Sequence, residues 1–300
     1  MMKQTKAVQR VLILGMDGAG NFVQQADTPN LDAWLPRGAY TFDAKAEMPT
    51  ISAECWGSVL HGVQPDKHKL NNEKAATLSY PSDSPFPSLF RLAREQQPEA
   101  KLASFSSWSP INSGIIEDNL GVHKVSLPDA ELVSSLLVYM EENQDVRLLF
   151  LQLDEPDGSG HRYGYGDDCP EYLAAITTCD ELIGSVLKRL EKLGLMEDSL
   201  VVLLTDHGGG GDNKYSHGSA HPMDRDVFWG CIGPGINSGL LKGPVSITDT
   251  AAIAALALGL TLTQQWDARL PEGLLDDTWA SKSITIVDSK TAAAEESHNG

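Results

Sequence analysis

The strand-like segments of this chain are unbroken apolar runs, not alternations of apolar and polar positions. "VLILGMD" (11–17), "KLASFSSW" (101–108), "RLLFLQLD" (147–154), "SLVVLLTD" (199–206) and "VFWGCIG" (227–233) are bounded by turn-forming residues, which marks them as buried strands. Between them, "TPNLDAWLPRG", "FPSLFRLAREQQP", "DAELVSSLLVYMEEN" and "PEYLAAITTCDELIGSVLKRLEKLG" place apolar residues three and four apart, the helical period. Proline near the first turn in "TPN" and "FPS", and Gly194 as a stop, bound these helices. "DTAAIAALALGL" reads as a short buried helix. A strand apolar on both sides needs cover on both faces, and helices used as crossovers provide it. The pattern therefore predicts an α/β fold, a three-layer α/β/α sandwich around a mostly parallel sheet. There is no internal repeat. Residues 1–285 are expected to form one domain, and 286–300, polar toward its end, a flexible tail.

In such a sheet, ligands bind outside the carboxyl ends of the strands. Three of the five runs end there in an acid: Asp17, Asp154 and Asp206. Any one of these could be a turn or capping residue, but each is followed by a segment rich in glycine, acid or histidine. "LDEPDGSGHRYG" holds Asp157 and His161 four apart. Pro156, Gly158 and Gly160 argue for a loop over a helix, folded so that carboxylate and imidazole point at one centre. "LLTDHGGGGDNKYSHGSAH" supplies adjacent Asp206 and His207, then His217 and His221. Carboxylates combined with imidazoles suit zinc, with manganese or iron as substitutes. Three Asp and three His near strand ends make two three-ligand sites with open positions. Upstream, Thr50 and Ser52 offer hydroxyls just before a helical pattern at 53–60. Each could be an N-cap, or a nucleophile where a helix terminus favours an anion.

Charge narrows the partners. At −18, from 41 acids against 23 bases, the chain lacks the long-range attraction that nucleic acid or an anionic membrane requires. An anionic small substrate needs a local positive centre, such as a metal ion. The basic start "MMKQTKAVQR" precedes an apolar run broken by Gly15 and Asp17, too short for a signal-peptide core. No segment approaches a membrane span. Cys55, Cys169, Cys179 and Cys231 are scattered without a CxxC and read as reduced thiols, so the expected location is the cytoplasm. "GMDGAG" after a strand invites a dinucleotide reading, but Asp17 stands where the second glycine must admit the pyrophosphate. Nothing in the sequence speaks to oligomeric state.

Taken in order, "LILGMDG", "PTISAECWGSVLHGVQPDKH", "EPDGSGH" and "TDHGG" with the following "SHG" and "GPG" resemble the alkaline phosphatase superfamily. Within it they are similar to the type I phosphodiesterase/nucleotide pyrophosphatase branch, over about Val11 to Gly235. The resemblance implies a metal-dependent hydrolase of phosphate esters acting on a small phosphorylated substrate. It implies two divalent ions, zinc above all, one held by Asp157, His161 and His217 and the other by Asp17, Asp206 and His207. Two such ions against three carboxylates leave a charge of about +1, which attracts phosphate. It implies Ser52 as the nucleophile, ten residues before Gly62, forming a covalent phospho-serine that is then hydrolysed; Thr50 is the alternative. The spacing from "SHG" to "GPG" selects His217 over His221. An oxyanion-binding asparagine is implied after His68, with Asn72 favoured over Asn71.

Some features depart from the family or stay open. Lys69 replaces the glycine usual after His68. Lys69, Lys214 and Arg225 could bind extra phosphate charge or lie on a solvated surface. Tyr163 and Tyr165 could line a lid or pack a loop, and Cys55 reads as a small buried side chain. Phosphomonoesterase, phosphonate hydrolase and sulfatase activities share this scaffold, as could a non-catalytic metal- or phosphate-binding relative. No xPxR block of the sulfatases follows Ser52 or Cys55.

Overall fold

Two cores, one on each face of an eight-stranded sheet, account for the unbroken apolar runs. The structure, a computed structural model, describes residues 7–280 and the backbone of 286–287. Its main strands are β1 (Arg10–Met16), β2 (Ala39–Lys45), β3 (Lys101–Ser106), β4 (His123–Val125), β5 (Val146–Leu153), β6 (Ser199–Thr205), β7 (Asp226–Ile232) and β8 (Gly239–Leu240). They lie in the order β4-β3-β5-β1-β6-β7-β2-β8. Along β1, Val11 and Ile13 face one core while Leu12, Leu14 and Met16 face the other. Along β6, Leu200, Val202 and Leu204 oppose Val201 and Leu203 in the same way. Successive side chains of a strand point to opposite faces, so both faces here must be apolar.

The helices supply the two covers. α1 (Pro29–Trp34), α6 (Asp129–Glu142) and α8 (Pro170–Lys192) pack one face. α2 (Ser52–His61), α5 (Leu89–Gln96) and α10 (Asp249–Leu258) pack the other. The expected three-layer sandwich is the observed one. Shorter helices α3 (Pro65–His68), α4 (Asn72–Thr77), α7 (Glu155–Tyr163) and α9 (Pro222–Arg225) lie among the connections.

The sheet is mostly parallel, and β7 is the exception. It runs antiparallel to β6 and to β2, while the pairs among β4, β3, β5, β1 and β6 are parallel. Between β6 and β7 the only helix is four residues long, too short to carry the chain back for a parallel return. Strand β2 is absent from the sequence reading because its burial alternates toward the surface. Of the segment 286–300 read as a flexible tail, only the backbone of Ile286–Val287 is described. It pairs in parallel with Leu262–Thr263, and the remainder lies outside the described residues.

His68, at the end of α3, is buried and fully bonded as a neutral ring. Its Nδ1 accepts from Leu70 N–H at 3.0 Å, and its Nε2–H faces the Glu54 carbonyl at 3.2 Å. Burial, with the neighbouring His61, pushes its pKa down to about 3. In the unfolded chain it titrates near about 6.5, so between these values unfolding takes up a proton. Its contribution is complete above about pH 6.5 and is lost as pH falls toward 3, at up to about 1.4 kcal/mol per pH unit. Denaturant titrations at pH 7 and pH 5 should therefore show a smaller pH-dependent loss for His68→Gln than for the wild type. Equal losses would show that His68 is not one of the groups responsible.

Candidate active site

The carboxyl edges of β1, β5 and β6 converge, and every acid placed there by the sequence reading is found there. Asp17 follows β1, Asp154 precedes α7 at the end of β5, and Asp206 follows β6. The Asp206 Oδ1 accepts from Gly18 N–H at 3.1 Å, tying the first and third of these ends together. Asp17 is held by two donors on one oxygen: Trp56 Nε1–H at 2.7 Å and Gln152 Nε2–H at 3.0 Å, both to Oδ2. Its Oδ1 is left facing His207 Nε2 at 3.5 Å and Ser52 Oγ at 3.4 Å.

The "EPDGSGH" segment is a helix, α7, and not the loop expected from its glycines and proline. Pro156 sits in the first turn, where its missing N–H costs nothing. The Asp129 carboxylate accepts from Asp154 and Glu155 N–H at 2.9 and 3.0 Å, capping the helix. Gly160 is required because a Cβ there would lie 2.2 Å from the Tyr165 ring. A helical backbone brings Asp157 and His161 onto one face, with His161 Nε2 3.3 Å from Asp157 Oδ2. Tyr165, buried, donates its hydroxyl to Asp157 Oδ1 at 2.5 Å; it is a packing and orienting residue, whereas Tyr163 is exposed.

The glycine run serves close approach. A Cβ at Gly208 would lie 2.1 Å from the Met223 carbonyl, and one at Gly211 2.4 Å from His221 Cβ. Packed this tightly, the loop returns His217 to the site, its ring stacked on His207 with centroids 4.0 Å apart. His217 Nε2 lies 3.3 Å from His161 Nε2 and 3.6 Å from Asp157 Oδ1. His221 turns away, its ring accepting from Met223 N–H at the start of α9.

All three converging imidazoles are set in one tautomer by backbone carbonyls. Nδ1–H of His161 donates to Tyr215 O at 2.9 Å, that of His207 to Gly208 O at 2.8 Å, and that of His217 to Thr50 O at 2.7 Å. Each Nε2 is thereby turned toward the carboxylates. Among the described residues, two groups of ligand atoms lie within 4.8 Å of one another: Asp17, Asp206 and His207, and Asp157, His207 and His217. His161 joins the second through the contacts above. His207 is shared between the two groups, where the sequence reading had given it to one.

This is a space built from acceptors, and it fits cations. Asp206 Oδ2 is buried without a hydrogen-bond partner and lies 3.3 Å from the His207 Nε2. Burial pushes the carboxyls of Asp17 and Asp206 well above the usual range, and repulsion from neighbouring carboxylates adds to it. The hydrogen bond to Asp157 raises His161 to about 9. Burial lowers His207 to about 3. Imidazoles whose Nδ1–H is fixed by a backbone carbonyl and whose Nε2 is turned toward carboxylates suit a divalent metal site.

Ser52 is the first residue of α2 and caps nothing. Its Oγ lies 3.2 Å from His207 Nε2. Thr50 is otherwise engaged: its hydroxyl donates to Ser219 O and accepts from Gly218 N–H, both at 3.0 Å. Asn72 Oδ1 accepts from Ala53 N–H at 3.0 Å, next to Ser52, whereas Asn71 caps α4 by accepting from Lys74 N–H. Lys69 adopts a left-handed backbone, φ 60°, the conformation for which glycine is usual. Lys214 pairs with Asp168 at the surface. Cys55 is a buried thiol, as are the other three cysteines.

Sequence reasoning missed Trp56, Gln152, Thr50 in its carbonyl role, and Asp224. Gln152 was the most legible of these, a lone amide inside "RLLFLQLD". Trp56 stands four residues after Ser52, one turn along the same helix face.

Comparisons with known proteins bear on the family and the fold. Residues 74–218 match the family model of type I phosphodiesterase / nucleotide pyrophosphatase, a segment holding Asp157, His161, Asp206, His207 and His217. Ectonucleotide pyrophosphatase/phosphodiesterase family member 1 of Mus musculus is 26% identical over 186 residues, covering 57% of this chain and 20% of that protein. A bis(5'-adenosyl)-triphosphatase of Homo sapiens is 24% identical over 215 residues, 66% of this chain and 47% of its own length. The chain thus spans less than half the length of these curated relatives. Among solved structures, murine ectonucleotide pyrophosphatase / phosphodiesterase 5 superposes with TM-score 0.69 at 15% identity, covering 92% of this chain and 99% of that one. A phosphonate monoester hydrolase from Silicibacter pomeroyi gives 0.68 at 14% identity, covering 88% and 75%. The resemblance to the alkaline phosphatase superfamily, in its type I phosphodiesterase/nucleotide pyrophosphatase branch, is borne out in family model, relatives and fold.

Proposed function

We propose that the protein is a two-metal phosphoric ester hydrolase, of phosphodiesterase or nucleotide pyrophosphatase type, that works through a phosphorylated Ser52. The observation that carries this reading is the set of three imidazoles, each with Nδ1–H on a backbone carbonyl and Nε2 turned toward buried carboxylates. Asp17, Asp206 and His207 would hold one divalent ion; Asp157, His161 and His217 would hold the other. When bound, two such ions supply Lewis-acid charge that neutralises phosphate and lowers the pKa of a hydroxyl or water. Zinc suits the donor set, and manganese or iron would be substitutes.

The chain's own residues do the rest. Ser52 Oγ, at the start of α2, gives up its proton to solvent and attacks phosphorus. The bond from phosphorus to the leaving oxygen breaks as the new bond to Oγ forms, and the departing alcohol or phosphate takes up a proton. Water then cleaves the bond to Oγ and restores the serine hydroxyl. The attack is directed from the end of the helix, where the dipole favours the developing negative charge. Asn72, with its Oδ1 occupied by Ala53 N–H, has Nδ2 protons to offer a phosphoryl oxygen. Trp56 and Gln152 orient Asp17 so that one oxygen stays available. The substrate is a small phosphorylated molecule, and the acidic surface leaves its recognition to this centre.

Rates on an aryl phosphate diester, an aryl phosphate monoester and an aryl sulfate, each with and without chelator, test the reading. Chelator-sensitive turnover is expected, fastest on the diester. No chelator-sensitive turnover of any of the three, in metal-replete protein, would sink the enzymatic reading, and a faster monoester would move the assignment to a phosphatase.

A further inference from the structure

The loop that returns His217 is held by a carboxylate outside the ligand set. Asp224 in α9 is 1% exposed and forms no ion pair among the described residues. Its Oδ1 accepts from Gly211 N–H at 2.9 Å. Its Oδ2 accepts from Ser219 N–H at 2.9 Å and from the Ser219 hydroxyl at 2.7 Å. Its main-chain oxygen accepts from Gly208 N–H at 2.8 Å. One residue thereby holds the loop just after His207, at its middle, and just after His217. The absence of a side chain at Gly211 is what allows this, since a Cβ there would lie 2.9 Å from Asp224 Oδ1. His221 caps the turn that carries Asp224, and Thr50 grips the loop from the opposite side at Gly218 and Ser219.

We propose that Asp224 is the positioning residue that sets His217 against Asp157 and His161, and so governs the hold on the second ion alone. This rests on the two-ion reading above. The selectivity follows from which contacts belong to the side chain. Gly208, beside His207, is held by the main-chain oxygen of Asp224, which a substitution leaves in place. Gly211 and Ser219, on the path to His217, are held by the carboxylate. Asparagine keeps the shape but must turn its NH2 toward Gly211 N–H or toward the Ser219 donors, so one of those contacts becomes a clash of donors. Outer-shell partners of metal ligands typically change affinity by about 10- to 100-fold.

The test uses the full chain, stripped and titrated with cobalt(II), with the visible spectrum and chelator competition as readouts. The wild type should take two ions. In Asp224→Asn one of them should be held about 10- to 100-fold more weakly, with an altered visible band, while the other keeps its affinity. Ser219→Ala removes only the hydroxyl contact and should weaken the same ion by a few-fold, which secures the test should the asparagine variant fold poorly. In a His217→Ala background, Asp224→Asn should leave the remaining ion unaffected. Parallel weakening of both ions, or no change in either, would overturn the assignment. A wild type that binds fewer than two cobalt ions would instead overturn the two-ion reading, and this inference with it.

Discussion

Ser52→Ala should lower turnover of the best aryl ester by about 10³-fold or more, while the metal content stays at its wild-type value. The hydroxyl lies 3.2 Å from His207 Nε2 and 3.4 Å from Asp17 Oδ1, yet it caps no helix and holds no loop. Its loss therefore removes chemistry and little structure. Thr50→Ala is the paired control. The Thr50 hydroxyl holds the loop at Gly218 and Ser219, so its removal should loosen the His217 segment and cost a smaller factor. Mass spectrometry of acid-quenched enzyme should show a phosphoryl adduct on the peptide containing Ser52. An adduct on Thr50, or full activity in Ser52→Ala, would reverse the two roles.

Asp206→Asn should act in opposite directions on the loaded and the stripped protein. With metal present, loss of a ligand carboxylate should release an ion and turnover with it, measured by elemental analysis and by rate. With chelator present, the same change should stabilise the fold. Asp206 is a buried acid with one unpartnered oxygen, 3.3 Å from an imidazole nitrogen that has only a lone pair to offer. An asparagine NH2 in that place donates to His207 Nε2 and removes a charge from the cluster. Relief of an unsatisfied buried group is worth about 1–3 kcal/mol, read as a rise of several degrees in Tm. A lower Tm in chelator would show that Asp206 is held by something other than the ion.

The cluster of acids and histidines was legible because it gathers around strand ends, where apolar runs stop abruptly at Asp17, Asp154 and Asp206. The three-layer fold was legible for the related reason that strands covered on both faces have no polar positions to spare. What stayed hidden depends on contacts between distant segments. α7 was misread because the cost of its glycines is met by Asp129 and Tyr165, neither of which the local sequence reveals. β2 was missed because half of it faces outward. Asp224 is one acid of the polar stretch "HPMDRD", and only the folded loop places three donors around it. The four glycines serve close contact, which depends on Tyr165, Met223 and His221 packing against them.

The spread of the site along the chain has a consequence for folding. The bond from Gly18 to Asp206 closes 188 residues and the contact from Ser52 to His207 closes 155. Neither ligand group exists until β1, β5 and β6 are side by side, so ions have little to bind in an unfolded or half-assembled chain. On the two-ion reading, ions would then stabilise by mass action on the native state alone. Metals should accordingly slow unfolding strongly while leaving the rate of collapse almost unchanged. Ions held there would act as a late fastener on a sheet that must first find its own order.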